Sequence, residues 1–186
     1  MPDLDAAFYF DLASPLAYLA AERVLHVLGR PAEWQPVLAR ELPGEESFDL
    51  SAIEHAAREQ GLQPLKWPDP FPFDSALAMC VATYAKSIGR TVPFVQAAFR
   101  QAYAGGRSLE NPDFVLIAAA ACEMHPAAVL KGAELRSVGE QLATATALAA
   151  QAGVTDVPAV RIGEKVFVGE HAVEDAATHI SLAQAR

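Results

Sequence analysis

Two hydrophobic periods divide this chain of 186 residues. Phe8 to Leu12 is a short aromatic and apolar run, the pattern of a central strand covered on both faces. Beyond it, Leu16, Leu19, Ala20, Val24, Val27 and Leu28 recur at helical spacing, with Ser14 as N-cap, Pro15 as first helical residue and Gly29 as the stop before Pro31. Trp34 to Leu38 reads as a second strand, which makes a β-α-β opening. From about Glu45 to Arg136 the strand signal disappears and the pattern turns helical. Its breaks fall at residues 61–72, at 89–93, at Gly105-Gly106 and at His125-Pro126, and Ser75 and Asn111-Pro112 are helix starts. An Ala- and Leu-rich helix follows from Ser137 to Gln151 and stops at Gly153. Val157 to Ile162 and Val166 to Val168 flank Gly163-Glu164 as a hairpin, and Ala172 to Ala183 forms a last helix.

Composition narrows the class. A hydrophobic share of 52% suits a globular protein with a substantial core. Fourteen Lys plus Arg against 23 Asp plus Glu leave a net charge of −9, which repels phosphate backbones and anionic lipid, so nucleic acid and membrane surfaces are not expected partners. The most apolar stretch, Phe114 to Cys122, is about half the length of a membrane span. The acidic start Met1-Pro2-Asp3-Leu4-Asp5 lacks the basic beginning and long apolar run of a secretory signal, so cytoplasmic residence is the expectation. Cys80 and Cys122 lie far apart and form no Cys-x-x-Cys pair, which speaks against dithiol exchange and for buried, inert thiols. Cys122 and His125 have a ligand-like spacing but no second pair, so no metal is expected.

The order β-α-β, helical block, α-β-β-α resembles the thioredoxin plan interrupted in the middle: an α/β fold with a large all-helical insertion. Residues 1–44 and 137–186 would form the discontinuous thioredoxin-like domain and 45–136 the insertion. In that plan the strand-to-helix turn carries the reactive group and a cis proline lies opposite. The turn here holds Ser14, and Val157-Pro158 supplies the proline. A free thiol with pKa near 8.5 is only about 3% ionised at pH 7, and lowering that pKa by ~2 units takes ~2.7 kcal/mol of preferential stabilisation. A helix N-terminus offers roughly 0.3–1 kcal/mol, occasionally ~2, and a hydrogen bond to a charged group ~1.5–3 kcal/mol; neither alone is comfortably enough, but a hydroxyl at a helix start combines them. Ser14 would donate to the sulfur of a bound thiol and would not itself attack, because the Gly-x-Ser-x-Gly elbow of a serine hydrolase is absent. Serine before proline is also a common N-cap, and a trans proline opening an edge strand is the alternative at Pro158.

Phe10-Asp11-Leu12-Ala13-Ser14-Pro15-Leu16-Ala17-Tyr18-Leu19-Ala20 resembles the N-terminal signature of 2-hydroxychromene-2-carboxylate isomerases and the kappa-class glutathione transferases within the DsbA-like group. Pro70-Phe71-Pro72-Phe73-Asp74-Ser75 is similar to the loop before that family's inserted helix, and Val157-Pro158 through Val168-Gly169 to its cis-proline hairpin. The resemblance implies that Ser14 faces the thiol of glutathione or another low-molecular-weight thiol, and that Val157 beside cis-Pro158 pairs with the peptide backbone of that cofactor. It implies a reaction in which the thiolate adds to an electrophilic aromatic keto acid, a bond rotates in the adduct, and the thiolate leaves. A homodimer is implied by the same analogy. Relatives place an acidic residue and then Arg after the hairpin, to grip the γ-glutamyl group; this chain has Glu170 and His171. Where relatives carry an Asn and a Lys-x-x-Tyr pattern, it reads Pro43-Gly44-Glu45-Glu46-Ser47-Phe48, which reverses the sign of charge near Glu45.

Trp67, Phe71, Phe73 and Tyr103 are candidates to line a substrate pocket, although aromatics at such positions commonly serve as core. Arg58, Lys66 and Arg107 are candidates for a substrate carboxylate, with ordinary surface roles as the alternative. Besides isomerisation or transfer, the sequence admits a non-catalytic module that holds an extended peptide at Val157-Pro158. A disulfide oxidoreductase ranks last.

Overall fold

A computed structural model describes residues 5–45 and 47–184. The acidic start Met1–Leu4, and Glu46 of the charge-reversed loop, lie outside the described residues. The elements run β1 (Ala6–Phe10), α1 (Pro15–Leu28), β2 (Glu33–Pro36), a 3-10 turn (Ala39–Glu41), α2 (Leu50–Glu59), α3 (Ala76–Ser87), α4 (Thr91–Tyr103), α5 (Pro112–Ala120), α6 (Pro126–Ala133), α7 (Arg136–Gln151), β3 (Ala159–Ile162), β4 (Lys165–Val168) and α8 (Ala172–Gln184). The strands form one sheet in the order β2-β1-β3-β4, with β1 parallel to β2 and antiparallel to β3, and β3 antiparallel to β4. This is the thioredoxin-like α/β fold expected from the sequence, with a run of helices between its two parts.

Alternation along β1 sorts the core into two layers. Phe8 and Phe10 point into the larger cluster with Trp34, Tyr18, Leu19, Met79, Phe99 and Tyr103, where Phe10 meets Trp34 and Phe99 at ring-centroid distances of 5.9 and 6.2 Å. That cluster is shared by the sheet, α1, α8 and the helical block, so α3 and α4 pack directly on the thioredoxin part. Ala7 and Tyr9 face the other way, into a smaller cluster with Val37, Ala39, Leu42, Ala149, Val154, Val157 and Ala159.

Two strand boundaries and one helix position depart from the sequence reading. The second strand ends at Pro36 rather than Leu38. Val37 N–H still donates to Phe10 O, but Leu38 N–H goes to the Thr146 hydroxyl and Ala39 N–H to the Asp11 carboxylate, so side chains replace the ladder. The third strand starts at Ala159, opposite Tyr9, because Pro158 has no N–H to give. Val27 is exposed rather than on the buried face of α1, which Val24 and Leu28 supply. Gly29 ends that helix in the left-handed conformation at φ 63°, its N–H on Leu25 O, the conformation that glycine adopts without steric cost.

Candidate functional site

The turn between β1 and α1 is built by local side-chain bonds. Ser14 caps α1: its hydroxyl oxygen accepts from Ala17 N–H at 3.2 Å, and Pro15 occupies the first helical position, where no N–H is needed. Ser14 N–H returns to Asp11 O, and one oxygen of the Asp11 carboxylate accepts from Ala13 N–H at 2.9 Å. The other oxygen accepts from Ala39 N–H at 2.9 Å, so Asp11 ties this turn to the segment after β2. Burial pushes the Asp11 carboxyl upward, against the lowering effect of the Ala13 and Ala39 amides, the Ser75 hydroxyl and the Arg40 charge. Sequence reasoning passed over Asp11, although a lone carboxylate inside an aromatic strand end is a visible signal.

The Val157-Pro158 peptide is cis, as the sequence pattern implied. So are Asp69-Pro70 and Phe71-Pro72, which the sequence reading did not anticipate. The Ser14 hydroxyl donates to Val157 O at 3.4 Å, which brings the two ends of the chain into one site. Val157 N–H donates to the Asp156 carboxylate at 2.7 Å, so both backbone polar groups of Val157 are engaged within the protein. The half-buried Asp156 carboxyl is raised by desolvation, partly offset by that amide. Ser14 is 1% exposed and Val157 2%, so a sulfur reaches this hydroxyl only if its cover moves.

Glu170 and His171 stand close by. Pro158 O accepts from Gly169 N–H, and Gly169 O accepts from Ala172 N–H at the start of α8, which holds the intervening Glu170 and His171 beside the cis-proline strand. Both are exposed, and both line a groove of about 260 Å3 with Leu16, Leu19 and Arg23 of α1, Ala56, Glu59 and Gln60 of α2, and Glu174. Arg23 was not singled out from sequence. Its guanidinium donates to Glu174 at 2.7 and 3.3 Å and to Glu170 O at 2.7 Å, so a cation from α1 occupies the neighbourhood where the residue after Glu170 is His171 instead of Arg. Burial alone would raise the Glu174 carboxyl; the Arg23 hydrogen bond, then a hydrogen bond from its own backbone, then the charges of Arg23 and His171 bring it below its ordinary value. The α1 spacing that puts Arg23 over Leu16 and Leu19 is the signal that was available.

The aromatic candidates do come together. Trp67 and Phe71 are half-buried and lie 5.0 Å apart, Trp67 stands 6.4 Å from Tyr103, and the Trp67 indole N–H donates to Glu54 at 2.7 Å. Tyr103 itself is fully buried, stacked on Tyr18 at 5.5 Å with its hydroxyl donating to Leu12 O, so it supports the cluster from within the core instead of facing a ligand. Phe73 is likewise buried. Arg58, Lys66 and Arg107 are exposed, and the Arg107 guanidinium lies 5.2 Å from the centre of the Phe114 ring. Glu45 is exposed beside Gly44, whose N–H donates to Thr155 O at 2.7 Å.

Neither cysteine belongs to the α1 turn. Cys80 is half-buried in α3 and Cys122 is buried after α5; both are free thiols, and burial pushes both upward, away from thiolate. His125 caps α6, accepting from Ala127 N–H through Nδ1, and among the described residues no group of three His, Cys, Asp or Glu is arranged for a metal. No helix among the described residues is long and apolar enough to cross a membrane.

Comparison with known proteins agrees with this fold. The sequence matches the DSBA-like thioredoxin domain over residues 6–181. A 2-hydroxychromene-2-carboxylate isomerase superposes with a TM-score of 0.80 at 18% identity, covering 98% of this chain and 95% of its own. A probable DsbA oxidoreductase from Streptomyces coelicolor has the same TM-score at 16% identity, covering 98% and 91%. The cytosolic disulfide reductase DsbM from Pseudomonas aeruginosa, in its structure with GSH, gives 0.68 at 15% identity over 98% and 100%. Among curated protein sequences none matches.

Proposed function

The chain belongs to the DSBA-like thioredoxin domain family, and on that premise we propose that it is an enzyme of the 2-hydroxychromene-2-carboxylate isomerase type, which ionises a small thiol at Ser14. The observation that carries this reading is the meeting of a helix-capping serine hydroxyl with the carbonyl before a cis proline, in a turn that contains no cysteine. The thiol is glutathione or another low-molecular-weight thiol, and the substrate is an electrophilic aromatic keto acid or similar acceptor. The likeness to an isomerase and to a reductase with GSH, at 18% and 15% identity, supports the fold and leaves the chemistry, the thiol included, to this chain's own residues.

The chemistry asks little rearrangement of Ser14. Its hydroxyl hydrogen lies on Val157 O at a long 3.4 Å, and rotation about one bond redirects it to an arriving sulfur while the oxygen keeps the Ala17 N–H. The sulfur then receives a hydrogen bond and sits at the positive end of α1. The thiol supplies the covalent step: its thiolate adds to the conjugated carbon, a bond turns in the adduct, and the same C–S bond breaks to release the thiolate and the isomer. The protein holds the thiolate, orients it and excludes water. Glu170 and His171, with Arg23 behind them, are the residues we assign to the cofactor's polar end. Trp67 and Phe71 are assigned to the aromatic acceptor.

Isothermal titration with glutathione in two buffers of different ionisation enthalpy tests this. Binding with proton release in the wild type, and no proton release in Ser14→Ala, is the expected result. Absence of binding for glutathione and for other small thiols overturns it. A second reading, a module that holds an extended peptide without catalysis, is favoured by the depth at which Ser14 is buried. It predicts peptide binding that survives Ser14→Ala.

A further inference from the structure

A cavity separate from the proposed thiol site lies on the sheet face covered by α7. It encloses about 500 Å3 between the strands and that helix, and none of Ser14, Val157, Pro158, Glu170 or His171 lines it. Its size falls within the range of small-molecule pockets. The space exists because α7 presents alanines there: Ala145, Ala149 and Ala152 face Ala7 and Tyr9 on β1, and the helix adds one large apolar side chain, the exposed Leu148. The polar side chains, Tyr9, Glu33, Gln35, Arg161 and Glu164, all come from the side opposite α7. Arg161 of β3 lines the cavity and is held in position, Nε donating to the Tyr9 hydroxyl at 3.2 Å and Nη1 to Gly163 O at 2.7 Å. Its Nη2 makes no hydrogen bond to any described residue. The Tyr9 oxygen accepts from Arg161, so its own hydrogen remains free to donate.

The geometry points to a second binding site here, for a small monocarboxylate with an apolar body, such as an aryl-substituted short-chain acid. The fixed guanidinium and the phenol hydrogen take the carboxylate, and the alanine floor with Leu148 takes the hydrocarbon. The rim explains why a single negative charge fits. Glu33 is neutralised by Lys86, at 2.5 Å, whereas Glu164 stands exposed at the opening and repels a ligand that carries more anionic groups. This site is independent of the thiol proposal, since the two share no residue.

Titration of the full chain with 4-phenylbutyrate, beside the neutral 4-phenylbutanol, tests it. The acid is expected to bind saturably at one site, at least about tenfold more tightly than the alcohol and than to Arg161→Gln, the loss that accompanies removal of a charge-assisted hydrogen bond. Ala145→Leu, which fills the cavity from a half-buried position on α7, is expected to weaken the acid and the alcohol alike. Saturating glutathione is expected to leave the affinity unchanged. No saturable binding, equal affinity of acid and alcohol, or displacement by glutathione overturns the assignment. The acid-against-alcohol comparison uses the wild-type chain and so does not depend on the variants folding.

Discussion

The Ser14 hydroxyl lies 3.4 Å from the carbonyl oxygen of Val157, across 143 residues of chain. The Ser14 hydroxyl oxygen also accepts from Ala17 N–H, so one side chain both starts α1 and fastens it to the cis-proline segment. Ser14→Ala removes the cap and the link together. We expect a loss of about 1 kcal/mol, the usual worth of an N-cap, read as a lower midpoint of denaturant unfolding with unchanged slope.

Asp156 holds the Val157 amide that an extended ligand would use. Asp156→Ala frees that N–H and leaves it without its acceptor. The variant should lose about 1–3 kcal/mol of stability, the cost of an orphaned buried donor, yet bind glutathione or an extended peptide several-fold more tightly. Unfolding and titration on one sample check both, and tighter binding is the result that distinguishes a competing contact from a merely structural one.

Gly44 packs against the loop that leads into Val157-Pro158. A Cβ at this position would stand 2.4 Å from Thr155 O and 3.3 Å from the Asp156 Cβ, and backbone is what it would strike. Gly44→Ala should therefore cost roughly 1–3 kcal/mol, as overpacking does. It should also disturb ligand affinity, because Thr155 and Asp156 shift with it. A neutral thermal scan counts against this packing.

Arg23 gives stability a pH dependence through Glu174. The folded carboxyl is lowered from its ordinary value of 4.5, so its contribution is present above that pH and is lost as pH falls through the folded value. Arg23→Met should cost roughly 0.5–1 kcal/mol at pH 7, the range for partly exposed pairs. The difference from wild type should shrink as pH drops below the unfolded carboxylate value. Unfolding midpoints of the two proteins between pH 3 and pH 7 are the check, and a constant gap would assign Arg23's role to packing alone.

Most elements could be read from the sequence because their causes are local. Ser14-Pro15 opens α1 and Gly29 closes it through bonds spanning four residues or fewer. Asn111-Pro112 starts α5 with the Asn111 side chain on Asp113 N–H, and Gly163-Glu164 turns β3 into β4. The alternation of Phe8 and Phe10 with Ala7 and Tyr9 sorts β1 between two layers before any partner is known. The absence of a cysteine from the first turn of α1 was likewise visible, and with it the lack of a dithiol.

What the sequence by itself determined, then, is which segments are strands and helices, where they begin, and that a serine stands at the turn between β1 and α1 of a thioredoxin-like fold. The tertiary structure alone decided what that serine touches. Val157 O, the Arg23 bridge to Glu170 and Glu174, the Thr146 hydroxyl that ends β2 and the depth of Tyr103 all depend on partners far away in sequence. Propensity and capping act over a few neighbouring residues, whereas burial and long-range hydrogen bonds are fixed only when the whole chain has packed.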